Sequence, residues 1–442
     1  MQYRLTEGSV LKNMLRFSLP YLLSCFLQTF YGLADLFITG RYNGADTITA
    51  VSVGSQVTHM LTVVIVGLAM GATVTISRAV GARDQRRAEK TIGSTISLFA
   101  LFAVGATVLL LLAAKGILSL LSTPAEAFSQ ARSYLTICFA GIPFITAYNV
   151  ISSVFRGLGD SKSPMYFVAA AGVINVILDW LFIGPMALGA VGAALATVIA
   201  QGCSVVLALL WMRRQNLGIT LRKSDLRLSG LSVLLKIGVP VALQDGFIQI
   251  AFLVITAIAN GRGVDVAAAV GIVEKIICFL FLVPSAMLST VSAVAAQNAG
   301  AGLHRRSRQA LVYGIVITVA VGAVFAAVCQ VWAEPIVRLF SKESELVVTL
   351  GGQYLRAYSL DCAIASIHFC FSGYFCAYEK SVLSFVHNLI SVLAIRIPGA
   401  YLASALFPDT LYPMGLAAPA GSLVSVIICL IMFLVLRKKQ VF

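Results

Sequence analysis

Residues 20–38 read PYLLSCFLQTFYGLADLFI. This stretch is apolar nearly throughout and long enough, as a helix, to cross a hydrocarbon core of about 30 Å, which takes about 20 residues. It opens on a proline and carries one acid, Asp35, with no basic residue near it in sequence. A charge inside a bilayer costs roughly 3 kcal/mol on insertion scales, so an unpaired carboxylate at this depth points to function rather than packing.

The whole apolar run covers 15–38. Eleven more of its kind follow, at 48–76, 92–114, 133–155, 164–185, 189–212, 235–259, 267–296, 311–333, 353–376, 383–405 and 415–436. Of the 442 residues, 59% are hydrophobic and 11% are charged, where soluble proteins carry about 25% charged residues. The mean hydropathy is +0.93. No soluble core could absorb that much apolar surface, which excludes a water-soluble enzyme and a disordered chain alike. The expected fold is an all-α polytopic membrane protein with twelve transmembrane helices.

The net charge of +14 would suggest nucleic acid in a soluble protein. Here most of the Lys and Arg fall in one alternate set of connectors, with the two tails, and that asymmetry marks cytoplasmic loops. Both termini are therefore expected in the cytoplasm of a multi-pass protein of the plasma or inner membrane, and no nucleic-acid partner is expected. The nine cysteines lie in or beside apolar runs with no CxxC pair and read as packing residues. No cleavable signal peptide is visible.

The longest polar connector joins the sixth and seventh runs. It divides the chain into an N-lobe over 1–212, a cytoplasmic linker over 213–236 and a C-lobe over 237–442. The halves look alike. Pro20 matches Pro240, and Tyr134-Leu135 matches Tyr354-Leu355, both at an offset of 220. Gly81-Ala82 and Gly300-Ala301 each precede an Arg-rich stretch. Two pseudo-symmetric six-helix lobes in parallel topology are the arrangement that transporters rock about a central cavity.

Besides Asp35, four acids fall inside apolar runs: Asp179, Asp245, Glu274 and Asp361. Asn175 and Asp179 are i and i+4, so they share a helix face. Such a pair of oxygen donors suits a hard cation, and equally a protonatable carboxylate held by a hydrogen bond. Asp361 sits about two turns into its run. Glu274 and Lys275 are neighbours that point apart, which leaves Glu274 to find a partner on another helix. Asp245 is close enough to its run's start to meet the interface. These three form a second candidate set, for substrate or cation, in the C-lobe. Arg396, two residues before Pro398, is placed to pair with an acid or to cap carbonyls freed by the proline. His59, His368 and His387 read as hydrogen-bonding residues between helices.

Gly157-Leu-Gly-Asp160 matches the GxGD string of intramembrane aspartyl proteases, but Asp160 falls in a polar turn rather than opposite a second carboxylate. No P-loop and no zinc-spaced Cys/His set is present. An enzyme is not expected, no cofactor is implied, and the energy source would be an ion gradient.

Several segments resemble the multidrug and toxin extrusion (MATE) transporters. They are residues 20–35, VGARDQRRAEK at 80–90, RGLGDSKSP at 156–164, the Asn175–Asp179 pair and GAVGAALAT at 189–197. In the second half they are AQNAGAG at 296–302 and RIPGAY at 396–401. The resemblance spans nearly the whole chain. It implies a secondary active exporter that antiports bulky organic, mostly cationic drugs against inward H+ or Na+. The lipid bilayer is then the other partner, and no oligomer is required. By position it puts the coupling ion on Asp35, Asn175, Asp179 and Thr197, with Tyr134 nearby; Thr197 and Tyr134 come from the resemblance alone. Those four would also be the ligands of a bound Na+. Where one branch of the family has a Glu in the seventh helix, this chain has Asp245 and Gln249. A flippase for lipid-linked saccharides or peptidoglycan precursor, from the wider superfamily, is the alternative. It would want basic residues in the membrane, and Lys275 and Arg396 are the candidates.

Overall fold

The structure is a computed structural model that describes residues 4–121, 123–215, 220, 222–226, 230–341 and 344–439. The first half forms α1 (Val10–Tyr42), α2 (Ala45–Gly81), α3 (Gln85–Leu120), α4 (Ala125–Ala140), α5 (Ile142–Gly157), α6 (Lys162–Ile183) and α7 (Gly189–Gln215). A short 3-10 turn, Lys223–Asp225, lies in the connector. The second half forms α8 (Leu231–Asn260), α9 (Val264–Leu280), α10 (Leu282–Gly300), α11 (His304–Arg338), α12 (Glu345–Ser359), α13 (Asp361–Ala377), α14 (Ser381–Ile390), α15 (Ile397–Leu406) and α16 (Tyr412–Lys438). A π-helical turn, Ser391–Arg396, joins α14 to α15.

Among the described residues, eleven helical stretches are long and apolar enough to cross a membrane. The α4–α5 pair, bent by 47° at Gly141, makes a twelfth when counted as one span. Most helices outrun their apolar stretches at both ends, because polar turns continue the backbone ladder beyond the hydrocarbon; α6 instead stops at Ile183, and α7 starts at Gly189, level with its stretch. Composition sets the span; capping sets the helix end. The breaks were not visible in hydropathy. Besides Gly141, α9 meets α10 at Phe281, and α12 meets α13 at Leu360. The π turn precedes Pro398, whose missing N–H removes a rung of the ladder.

The chain forms two compact units. One comprises Arg4 with Leu19–Gly238, and the other Leu5–Ser18 with Val239–Phe442. In the first unit the second half of α2 is buried from Ala69 to Ser77. It lies against α5, where Ser77 donates to the Gly157 carbonyl at 3.1 Å and Thr73 to that of Ser153 at 3.3 Å. In the second unit α10 is buried from Ala286 to Ala299 and packs on α13. There a Cβ on Gly373 would stand 2.4 Å from the Leu288 carbonyl. Ala, Gly, Ser and Thr dominate both contacts, since between membrane helices close backbone approach replaces the hydrophobic drive. All nine cysteines are unbridged.

The GxGD string is a helix-starting turn. Gly159 takes φ +92°, and Asp160 accepts from the backbone of Lys162 at 2.8 Å and of Ser163 at 3.1 Å, while Ser163 donates its hydroxyl to the other oxygen at 2.5 Å. A carboxylate committed to capping α6 is not a catalytic one. In the second half Glu379 stands where Gly159 does, and it too has positive φ, +59°. The turn is kept although the glycine is not.

Candidate functional site

The first unit brings three helices together at the acids. Asp35 is on α1, Asn175 and Asp179 are on α6, and Thr197 is on α7. The α6 and α7 helices pack along one another. At Gly172 an added Cβ would meet the Tyr31 ring at 3.4 Å, so α1 runs close to α6 one turn before Asp35. All the paired positions follow one rule. Tyr31 and Asp35, Asn175 and Asp179, and Thr197 and Gln201 are each i and i+4, so each helix turns two polar groups to the same side.

The Asp35 carboxyl faces Asp179, Thr197 and Asn175 within interaction range. Asp35 is 4% exposed, Asn175 1% and Asp179 0%. Yet the hydrogen bonding is incomplete. Asp35 Oδ1, both Asp179 oxygens and both amide atoms of Asn175 are buried with no hydrogen-bond partner. Buried polar atoms are nearly always partnered, and exceptions concentrate where chemistry is done. The Thr197 hydroxyl spends its proton on the Ala193 carbonyl at 3.0 Å and so turns lone pairs to the group. Two carboxylates facing each other in low dielectric repel when both are charged, so a proton or a cation there would stabilise the arrangement. Carboxylate, amide and hydroxyl oxygens are the donor set a hard cation such as Na+ takes, so the residues fit either ion.

Tyr134, from α4, lies within electrostatic reach of Asp35, and its hydroxyl pairs with Ser55 at 3.0 Å. Gly54 makes room for its ring, since a Cβ there would fall 2.2 Å from it. Two neighbours escaped the sequence reading. Tyr31 also lies within electrostatic reach of Asp35, and Gln201 donates to its hydroxyl at 3.4 Å. The i and i+4 spacing from Asp35 and from Thr197 was the signal for both.

The second unit treats its acids differently. Asp361 is fully buried, but it is paired: Arg396 donates to its Oδ2 at 2.7 Å. The same guanidinium donates to the Tyr358 hydroxyl at 3.2 Å and stands 5.7 Å from that ring's centre. The Thr256 hydroxyl of α8 lies 3.0 and 3.2 Å from the Glu274 oxygens and 2.9 Å from its own Phe252 carbonyl, which competes for its one proton. Both acids lie within electrostatic reach of Tyr358. Asp245 is instead within reach of the Cys376 thiol. Cys376 lies fifteen residues along α13 from Asp361, roughly 20 Å at the helical rise. His368 and His387 pack ring against ring at 5.5 Å between Ser422, Ser372 and Ser425. They join helices, as the sequence implied.

An all-helical bundle of spans in two like halves, with a buried acid pair in the first, is the build of a polytopic membrane transporter. The MatE family model matches residues 20–181 and again 240–402, once per half, and the chain belongs to that family. It is 30% identical over 403 residues to the probable multidrug resistance protein YpnP of Bacillus subtilis, covering 91% of this chain and 90% of that one. It is 26% identical over 430 residues to a FAD transporter of Shewanella oneidensis, covering 96% and 93%. Among solved structures, the outward-facing conformation of a multidrug resistance MATE family transporter of the MOP superfamily aligns with a TM-score of 0.92 at 22% identity. That alignment covers 99% of this chain and 98% of that one.

Proposed function

We propose that the chain is a secondary active multidrug exporter of the cell membrane, with both termini cytoplasmic, driven by inward H+ or Na+ through the Asp35–Asp179 pair. One observation carries this reading: five buried polar atoms of Asp35, Asn175 and Asp179 converge without partners. An ion arriving from the side of higher electrochemical potential neutralises the pair and lowers the cost of holding it in low dielectric. The loaded and empty sites then favour different packings of α1, and that differential affinity couples ion entry to drug exit. Asn175 and Thr197 supply the neutral oxygens, and Tyr134 lies beside the group.

Organic cations are the substrate class that the excess of membrane acids over bases favours. The multidrug names of the relatives support export of small organic compounds, and they do not favour a flippase. The test is efflux from proteoliposomes with Na+ and pH gradients imposed separately, for a fluorescent cation and for a flavin dinucleotide. Wild type is compared with Asp35→Asn. Drive by Na+ at constant pH assigns the pair to Na+, and drive by a pH gradient alone assigns it to protons. Export undiminished in a well-expressed Asp35→Asn protein refutes the mechanism.

A further inference from the structure

Besides a changeover between Arg4 and Leu5, the units change hands at two equivalent places. Residues Leu5–Ser18 pack with the second unit and Leu19 onward with the first, although α1 runs unbroken from Val10 to Tyr42. Residues up to Gly238 pack with the first unit and Val239 onward with the second, although α8 runs unbroken from Leu231 to Asn260. Each first helix therefore begins in the opposite half's unit. The changeovers stand 220 residues apart, and a proline follows each two residues on, Pro20 and Pro240.

An arginine grips each lead-in. Arg86, in the first turn of α3, donates to both oxygens of Asp225, at 2.8 and 2.5 Å. Its neighbour Glu89 accepts from the backbone N–H and the hydroxyl of Thr220, both at 3.1 Å, and the Arg222 N–H donates to Asp225 at 2.9 Å. Gly93 lets this strap lie flat on α3, since a Cβ there would stand 2.4 Å from the Asp225 carbonyl. The counterpart of Arg86 at the same offset is Arg306, in the first turn of α11. It donates to the Gly8 carbonyl at 2.8 Å and to Asn298 Oδ1 at 3.1 Å. Gln297 accepts from the Leu5 N–H at 3.2 Å, and Asn298 donates to the Leu5 carbonyl at 3.3 Å. Gly8 has φ +69°, which lets the strap turn into α1. Val10, Met14 and Phe17 then bury their side chains. The two grips use different groups on the strap, a carboxylate in one and backbone carbonyls in the other.

We propose that Arg86 and Arg306 are positioning residues for transport. Each clamps the lead-in of the other half's first helix, so that α1 and α8 flex beyond Pro20 and Pro240 while residues 5–18 and 231–238 stay fixed. A proline removes one backbone rung and loosens the turn before it, which makes it the place where a helix held at one end bends. Asp35 lies on the free side of one such point. On the free side of the other lies Thr256, the partner of Glu274.

The transport arm of this inference rests on the exporter reading; the clamp itself does not. The experiment is amide hydrogen exchange on the full chain in detergent, for wild type, Arg306→Gln and Asp225→Asn, beside efflux in proteoliposomes. A lost charge-assisted hydrogen bond corresponds to exchange about tenfold faster in the freed segment. Arg306→Gln is expected to speed exchange over 10–18 and leave 231–238 unchanged; Asp225→Asn is expected to do the reverse. Each is expected to slow efflux while substrate binding holds. Unchanged exchange in the variant's own segment overturns the clamp, as does faster exchange with efflux at the wild-type rate. Absence of efflux from wild type counts against the exporter reading, and the exchange pattern still decides the clamp. Arg306→Lys and Arg86→Lys, which keep one donor each, serve if the first variants fail to fold, with the same segment-specific pattern expected at smaller size.

Discussion

Two buried acids of this protein should respond oppositely to loss of charge. Asp361 is 0% exposed and bound at 2.7 Å to Arg396, whose side chain is 11% exposed. Replacing Asp361 with Ala leaves a buried guanidinium without its counter-ion, a change that costs about 3–5 kcal/mol in protein interiors. At about 2 °C per kcal/mol for a large chain, the thermal midpoint in detergent should fall by roughly 5–10 °C. Asp35 is equally buried, but among the described residues no basic side chain forms an ion pair with it. Changing Asp35 to Asn removes no ion pair and takes a carboxylate out of low dielectric, so stability should hold within about 1 kcal/mol or rise. Efflux should nevertheless be lost in Asp35→Asn. The double variant Asp361→Ala with Arg396→Met should regain most of the stability lost by Asp361→Ala alone, since removing both charges is far cheaper than stranding one. Thermal unfolding followed by intrinsic fluorescence reads all four proteins. Equal destabilisation by Asp35→Asn and Asp361→Ala would refute the distinction between an open acid and a paired one.

Other outcomes follow from single contacts. In Gly238→Ala the new Cβ would stand 2.4 Å from the Leu68 carbonyl, a backbone atom that cannot swing aside; a loss of about 1–3 kcal/mol is expected in the unfolding midpoint. Gly159→Ala must hold a side chain at φ +92° and should cost about 1–2 kcal/mol, read the same way. The Arg86 guanidinium beside Asp225 holds its carboxyl below the usual carboxylate range. A depressed folded value means that this contribution is complete above the unfolded value of about 4 and is lost as pH falls through the lower folded one. The stability gap between wild type and Asp225→Asn should thus stay constant from pH 8 to about pH 5 and close only in stronger acid. A gap that narrows near neutrality would show another group controlling the strap.

Hydropathy made the spans legible because the bilayer imposes a length that composition must meet. The run at 353–376 shows where that stops. Glu345–Ala377 behaves as one span by composition, yet the helix breaks at Leu360, one residue before the buried Asp361. A helix break is decided by local hydrogen bonding and by what presses on the chain from outside, and neither enters an average over a window. The acids followed the same division. Asp35, Asn175 and Asp179 declared themselves by cost and spacing. Asp361 looked just as costly, but its partner Arg396 lies 35 residues away, and sequence distance does not record such pairing. Tyr31 and Gln201 were readable in principle from i and i+4 spacing, but neutral polar residues in membrane helices are common enough to hide among packing groups.

The exchanged lead-ins also constrain how the chain is made. Residues 5–18 are synthesised before nearly everything they bind. Gly8 waits for Arg306, 298 residues later, which at about 5–20 residues per second is roughly 15–60 s. Through that interval Gly8 lacks its Arg306 partner, whereas Asp225 and Thr220 find Arg86 and Glu89 already in place. The first unit can close as soon as its last segment emerges, whereas the second must recover a piece delivered at the outset. Separately expressed halves, cut in the connector, would each lack a strip of their own interior and carry a strip of the other's. Neither should mature alone, and mixing them should restore both.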